Sequence, residues 1–256
     1  MRQSNTYILM FSAILTVVLG GLLALAAVGL GPIQAEQVAI DTRKKILSAV
    51  MDISEIPAPE IPTLYDTRIE SLVVNRAGEI VEKDDEGNEL IAENIEIADE
   101  FKKDPDNRLY PVFKFVSKEN LGEVDAYIIP IYGNGLWDNI WGYVALEKDL
   151  VTIRGVVFDH AGETPGLGAR ITSVDVQARF EGKKIYNEVG ELVAVEMMKG
   201  ETGDPSIYDA NQVDGLSGAT ITAKGVNNML RNYLTYYQEY FDKVTSGDDM
   251  AKAVKM

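Results

Sequence analysis

The tightest constraint on this chain is a run of 24 residues, Tyr7 to Leu30, that contains no charge and no proline. At about 1.5 Å of rise per residue, a helix of that length crosses a hydrocarbon core of about 30 Å with some tilt. A cleaved signal peptide is the competing reading, but the run is longer than the roughly 7–15 apolar residues of a signal core. A retained transmembrane anchor is therefore expected, with lipid around residues 7–30. Arg2 precedes the run and Arg43, Lys44 and Lys45 follow only at a distance, so the positive-inside rule separates the two orientations poorly.

Every one of the 40 acidic residues lies beyond Leu30, and the net charge is −16. The remainder reads as a water-soluble acidic domain on a tether. An acidic surface repels phosphate backbones, so nucleic acid is not an expected partner. The absence of cysteine excludes disulfides, thiolate nucleophiles and cysteine-held iron–sulfur clusters, and a single histidine, His160, excludes polyhistidine metal sites. One span provides no second helix to line a transport path.

Between Glu36 and Met51, Val38, Ala39, Ile46, Leu47 and Val50 recur among charges as on an amphipathic helix, which should stop before Ile56-Pro57-Ala58-Pro59. Leu72-Val73-Val74 and Glu79-Ile80-Val81 flank Asn75-Arg76-Ala77-Gly78 as in a hairpin. The acids at Asp84-Asp85-Glu86-Gly87-Asn88 are adjacent instead of alternating, which fits a charged turn better than a calcium loop. Residues 112–116, 126–131, 143–146 and 153–158 are β-branched and aromatic runs, read as a twisted antiparallel sheet. A short helix around 173–180, a strand at 192–198 and a polar loop at 200–212 follow. Val226, Met229, Leu230, Tyr233, Leu234, Tyr237 and Phe241 then mark a long amphipathic helix packed on the sheet. The expected fold is α+β, divided into an anchor (1–34), a membrane-proximal helix and hairpin segment (35–108) and a folded domain (109–256).

Chemistry concentrates just before that last helix, at Asp214-Gly215-Leu216-Ser217-Gly218-Ala219-Thr220-Ile221-Thr222. Glycines allow close approach of a ligand, and a helix N-terminus offers free N–H groups to a phosphate. The alternative is a glycine loop whose Thr220 or Thr222 simply caps the helix. Loop composition leaves both open.

Three segments add a resemblance. Ser217-Gly218-Ala219-Thr220, after Asp214-Gly215, resembles the S/T-G-A-T signature of the FMN-binding domain family, whose last threonine carries FMN through a phosphoester bond. Glu163-Thr164-Pro165-Gly166-Leu167-Gly168, with His160 just before it, resembles that family's E-T-P-G-L-G loop. Gly133-Asn134-Gly135-Leu136-Trp137, with Trp141-Gly142-Tyr143, resembles its G-x-G-L-W stretch. Three motifs in the family's order over about 90 residues are far more specific than one loop.

The resemblance implies FMN held covalently on Thr220, with Ser217, Gly218 and Ala219 shaping the backbone around the phosphate. Asp214 would take part in modification or hold the loop, unless it is an ordinary turn residue. Glu163, Thr164, Leu167 and Gly168 would line the flavin and Trp137 would supply aromatic contact, with a core tryptophan as the alternative. Trp141 reads as structural and His160 as a hydrogen-bonded loop residue; no catalytic or metal-binding residue is implied in the isolated chain, which would carry electrons. The length, lone anchor and long segment before the motifs are most similar to one electron-carrying subunit of the sodium-translocating NADH:quinone reductases, with the corresponding subunit of the Rnf complex as the alternative. That implies five further subunits in a six-subunit complex, a flavin transferase that uses FAD and Mg2+, electron flow toward quinone coupled to sodium export, and a bacterial inner membrane with the domain on the periplasmic side.

Two other classes compete. A serine hydrolase would use His160, Asp214 and Ser217, although Asp214 is only three residues from Ser217 and the G-x-S-x-G pattern fails at its last position. A cofactor-free interaction module would use the acidic surface and Tyr233, Tyr236, Tyr237 and Tyr240, the alternative being that Tyr236 and Tyr240 are simply the wet edge of an amphipathic helix.

Overall fold

The apolar run and the amphipathic stretch after it form one helix in the computed structural model, which describes residues 4–118 and 122–247. This helix, α1 (Asn5–Ser48), continues through Pro32 and ends at Ser48. Arg2, used in the charge argument, lies outside the described residues. Among them α1 is the one helix long and apolar enough to cross a membrane. The chain divides into two compact units, Met1–Arg43 and Lys44–Met256.

The second unit is built on five antiparallel strands in the order β1-β2-β3-β4-β5. After α2 (Ile61–Arg68), β1 (Ile69–Val74) enters the turn at 75–78, where Gly78 has φ 71° and Asn75 N–H donates to Glu79 O at 2.9 Å. The hairpin's return limb is shorter than the sequence suggests, a single bridge from Val74 to Ile80. The full partner of β1 comes after α3 (Ile97–Glu100) and is β2 (Tyr110–Val116). At 84–88 the Asp84 carboxylate accepts from the N–H groups of Glu86 and Asn88 and so closes a turn on itself. The sheet is completed by β3 (Val124–Asn134), β4 (Asn139–Glu147) and β5 (Ile153–His160).

The chain then forms α4 (Val174–Ala178), β6 (Glu196–Met197), β7 (Gln212–Val213) and α5 (Thr220–Ser246), with β6 and β7 paired in parallel. The strand expected over 192–198 shrinks to two residues because Ala194 adopts φ 61°, a left-handed conformation that interrupts an extended run. Gly247 at φ 82° terminates α5.

Alternation along the strands feeds two cores. Tyr127, Ile129 and Ile131 of β3 join Val144 and Val156 under Met229, Leu230, Tyr233, Leu234 and Tyr237 of α5. On the other face, Phe113, Ile128 and Ala145 meet Ile46 and Leu47 from the end of α1, together with Ile61 and Tyr65. Lys45 Nζ bonds Asp159 Oδ2 at 2.6 Å and Arg154 Nε donates to Val50 O, which ties the same segment to β5. Tyr237 Oη donates to Pro111 O at 2.6 Å across the first core. Tyr240 is fully buried and meets the Tyr127 ring, so it is neither on a wet edge of the helix nor exposed to serve an interaction module. The apolar stripe of α5 is wider than a minimal amphipathic pattern because β3 presses against its flank.

Candidate functional site

Three loops meet at one end of the sheet: the β3–β4 turn, the loop after β5, and the start of α5. The Glu163 carboxylate joins them. Its Oε1 accepts from Leu136 N–H at 2.7 Å and Trp137 N–H at 2.9 Å, and its Oε2 accepts from the Thr222 hydroxyl at 2.6 Å. Gly135 and Gly168 lie so close to this carboxylate that a Cβ at either position would overlap it. Burial opposes ionisation of Glu163, but the bonds from Thr222, Trp137 and Leu136 outweigh it and hold the carboxyl below its ordinary range. With both oxygens engaged, Glu163 fastens the loops together.

The same geometry separates the two helix threonines. Thr222 is buried and its hydroxyl is committed to Glu163. Thr220 is half-buried in the first turn of α5, and its hydroxyl has no hydrogen-bond partner among the described residues. The residue at the cap is Ala219 and no side chain caps the helix, so the capping role considered for either threonine is not realised. The N–H groups of the first turn lie at the positive end of the helix dipole with no capping side chain. Gly218, at φ 74°, lets the loop before α5 come against Leu167, where a Cβ would approach Leu167 Cδ2 to 2.9 Å.

Trp137 is 70% exposed, which overturns the core alternative, and its Nε1 donates to Thr164 Oγ1 at 3.1 Å. Leu136, Leu167 and Ile221 on the same three loops are also exposed. The site therefore presents an apolar surface beside an uncommitted hydroxyl and a helix N-terminus, which suits a planar aromatic cofactor bearing a phosphate.

Asp214 is buried and is not an ordinary turn residue. Its carboxylate accepts from the N–H groups of Thr202 and Gly203 and from Tyr208 Oη, at 2.7–3.0 Å. Burial raises its pKa, and these bonds more than reverse that. His160 Nδ1 accepts the Glu163 N–H at 3.3 Å, as a loop residue would. That bond turns Nδ1 toward backbone instead of an aspartate, and Asp214 is occupied elsewhere, so no hydrolase relay is assembled. Trp141 stacks on Tyr132 at 6.4 Å within the sheet.

Three residues here escaped sequence reasoning. Glu201 accepts from Arg170 through both guanidinium nitrogens at 2.7 Å, from Arg179 Nη2 at 2.7 Å, and from Ser217 N–H at 3.2 Å. Arg179 Nη1 also donates to Gly215 O at 2.7 Å. Paired with two guanidiniums, Glu201 is pulled down to a pKa of about 2. No spacing or motif in the sequence links residues 170, 179 and 201.

Comparison with known proteins agrees with this geometry. Residues 135–235, which include all three loops, match the FMN-binding domain. NqrC of Pseudomonas aeruginosa, from its Na(+)-translocating NADH-quinone reductase, is 32% identical over 245 residues, 91% of this chain and 92% of the relative. The chain belongs to the NqrC family. The corresponding protein of Haemophilus ducreyi is 34% identical over 227 residues, 85% of each chain. The crystal structure of the Parabacteroides distasonis protein superposes with a TM-score of 0.68 at 34% identity, covering 83% of this chain and 96% of that one. Shewanella oneidensis NqrC gives 0.67 at 25% identity, covering 81% and 98%. Both the α+β architecture and the family resemblance in the motifs are thereby borne out.

Proposed function

We propose that this chain is the FMN-bearing, electron-carrying subunit of a sodium-translocating NADH–quinone reductase, with FMN attached to Thr220 by a phosphoester bond. The observation that carries the reading is the uncommitted Thr220 hydroxyl at the first turn of α5, between an exposed apolar surface and a neighbouring threonine already bonded to Glu163. When bound, FMN supplies the redox chemistry. The chain's own residues would do the rest: Ser217, Gly218 and Ala219 would shape the loop, first-turn N–H groups would hold the phosphate, and Leu167, Thr164 and Trp137 would hold the ring. Gly168 gives Glu163 room to fasten the loops, and Asp214 holds the 202–208 segment against the acceptor loop.

Attachment would need a flavin transferase, FAD and Mg2+. Thr220 Oγ would bond to phosphorus as the pyrophosphate bond of FAD breaks, AMP would depart and the hydroxyl proton would pass to the AMP phosphate. Covalent attachment keeps the cofactor from being lost on the extracytoplasmic side, where the domain would stand on its anchor in the inner membrane. Electrons would pass from other subunits through this FMN toward quinone while sodium crosses elsewhere in the complex. Residues 109–256 would carry the flavin, residues 35–108 would supply edge strand β1 and, from Ile46 onward, cover for the sheet's other face, and residues 1–34 would anchor the chain in lipid.

Coexpression with a flavin transferase tests this. Intact mass should rise by one FMN less one water, with in-gel flavin fluorescence, and Thr220→Ala should show neither. An unmodified wild type beside a flavinylated control acceptor would refute the reading.

A further inference from the structure

Glu201 lies in the irregular segment after β6, yet groups from three places converge on its carboxylate. Arg170 grips it with two parallel bonds of 2.7 Å, Arg179 adds a third of 2.7 Å, and Ser217 N–H, three residues before Thr220, donates at 3.2 Å. Arg179 extends past it to the carbonyls of Gly215 at 2.7 Å and Asp214 at 3.3 Å. Asp175 steadies both guanidiniums, at 3.7 Å from Arg170 and 3.2 Å from Arg179. The acceptor loop is thus held on its donor side by Glu201 and on its acceptor side by Arg179. Bidentate arginine–carboxylate pairs fix orientation as well as distance.

We propose that Glu201 is a positioning residue for modification of Thr220, oriented by Arg170 and Arg179. The inference rests on the functional reading above and adds to it the groups that preset the loop. A loop fixed before the transferase arrives presents the Thr220 hydroxyl in one geometry, so the advantage lies in the transfer step more than in docking. Because the ion pairs hold Glu201 ionised down to a pH of about 2, the arrangement is constant across physiological pH.

The test uses the full chain in detergent with purified flavin transferase, FAD and Mg2+, following adduct formation by intact mass over a range of acceptor concentrations. Glu201→Ala should lower kcat for FMN transfer about tenfold or more while KM moves less than about twofold. Glu201→Gln keeps an oxygen for Ser217 N–H and should recover much of that loss. Arg170→Gln should slow the wild type but add almost nothing to Glu201→Ala, since it acts through the carboxylate. In the unmodified protein, Ser217 amide exchange should accelerate in Glu201→Ala while the β3 amides keep their protection. Transfer rates within about twofold of wild type in both Glu201→Ala and Arg170→Gln would overturn the inference and leave the functional reading intact; a wild type that gains no FMN would overturn both. If Glu201→Ala loses β3 protection, Arg170→Gln decides, and an unchanged kcat in that variant would overturn it.

Discussion

The two faces of the sheet are made by the same strands and serve different ends. In β3, Tyr127, Ile129 and Ile131 face α5, while Ala126 and Ile128 face the end of α1 and the segment around α2. One face is covered chiefly by a 27-residue helix whose first residue is Thr220, with Ile171, Val176 and Phe180 completing the cover beside β5. The other is covered in pieces, among them Ile46, Leu47, Ile61 and Tyr65, with the Lys45–Asp159 pair at its margin. The sheet thus puts the end of α1 on one face and the helix that begins at Thr220 on the other. Alternation at a period of two is enough to divide the labour.

That division can be broken by paired substitutions. Leu230→Ala on α5 and Ile128→Ala on the opposite face, both fully buried, should each cost about 2–5 kcal/mol in chemical denaturation. Leu230→Ala should also reduce FMN loading, whereas Ile128→Ala at a temperature where it stays folded should not; equal loading in the two would end the comparison. A smaller effect is expected at the junction of the loops. Glu163→Gln removes the charge that Leu136, Trp137 and Thr222 converge on, and should cost about 1.5–3 kcal/mol.

Acid sharpens the picture further. The Glu201 pKa falls from an ordinary 4.5 to about 2, so its stabilisation is complete above pH 4.5 and is lost as pH drops toward 2. After discounting for its contact with solvent, that loss is on the order of 1–2 kcal/mol. Glu201→Gln should flatten that part of a stability–pH profile, and an unchanged slope would remove the Arg170–Glu201–Arg179 cluster from the account. The smallest effect belongs to Trp137→Phe. With Trp137 70% exposed and one side-chain bond lost, thermal unfolding should register about 0.5 kcal/mol or less, while flavin fluorescence in the loaded protein should change.

Much of the frame was legible because it is written in local periodicity. The strands at 112–116, 126–131, 143–146 and 153–158 and the stripe from Val226 to Phe241 fall inside β2 to β5 and α5. Where tertiary contacts decided, local reading failed. The limb at 79–81 has strand composition but forms only a bridge, since β2 takes the ladder on β1. At the site, the motifs named Glu163, Asp214 and Thr220, but their different duties come from contacts that span the chain. Glu163 reaches Leu136, 27 residues back, and Thr222, 59 residues ahead. Glu201 finds Arg170 at a separation of 31 through irregular backbone, where no periodicity exists to mark it.

The central claim is that one hydroxyl among several nearby is the acceptor. Proteolysis of the protein coexpressed with a flavin transferase, followed by fragment-ion mass spectrometry across residues 214–224, tests it most directly. The FMN mass should map to Thr220, with Ser217 and Thr222 unmodified. An adduct on Ser217 or Thr222, or flavin that leaves on denaturation, would contradict the account.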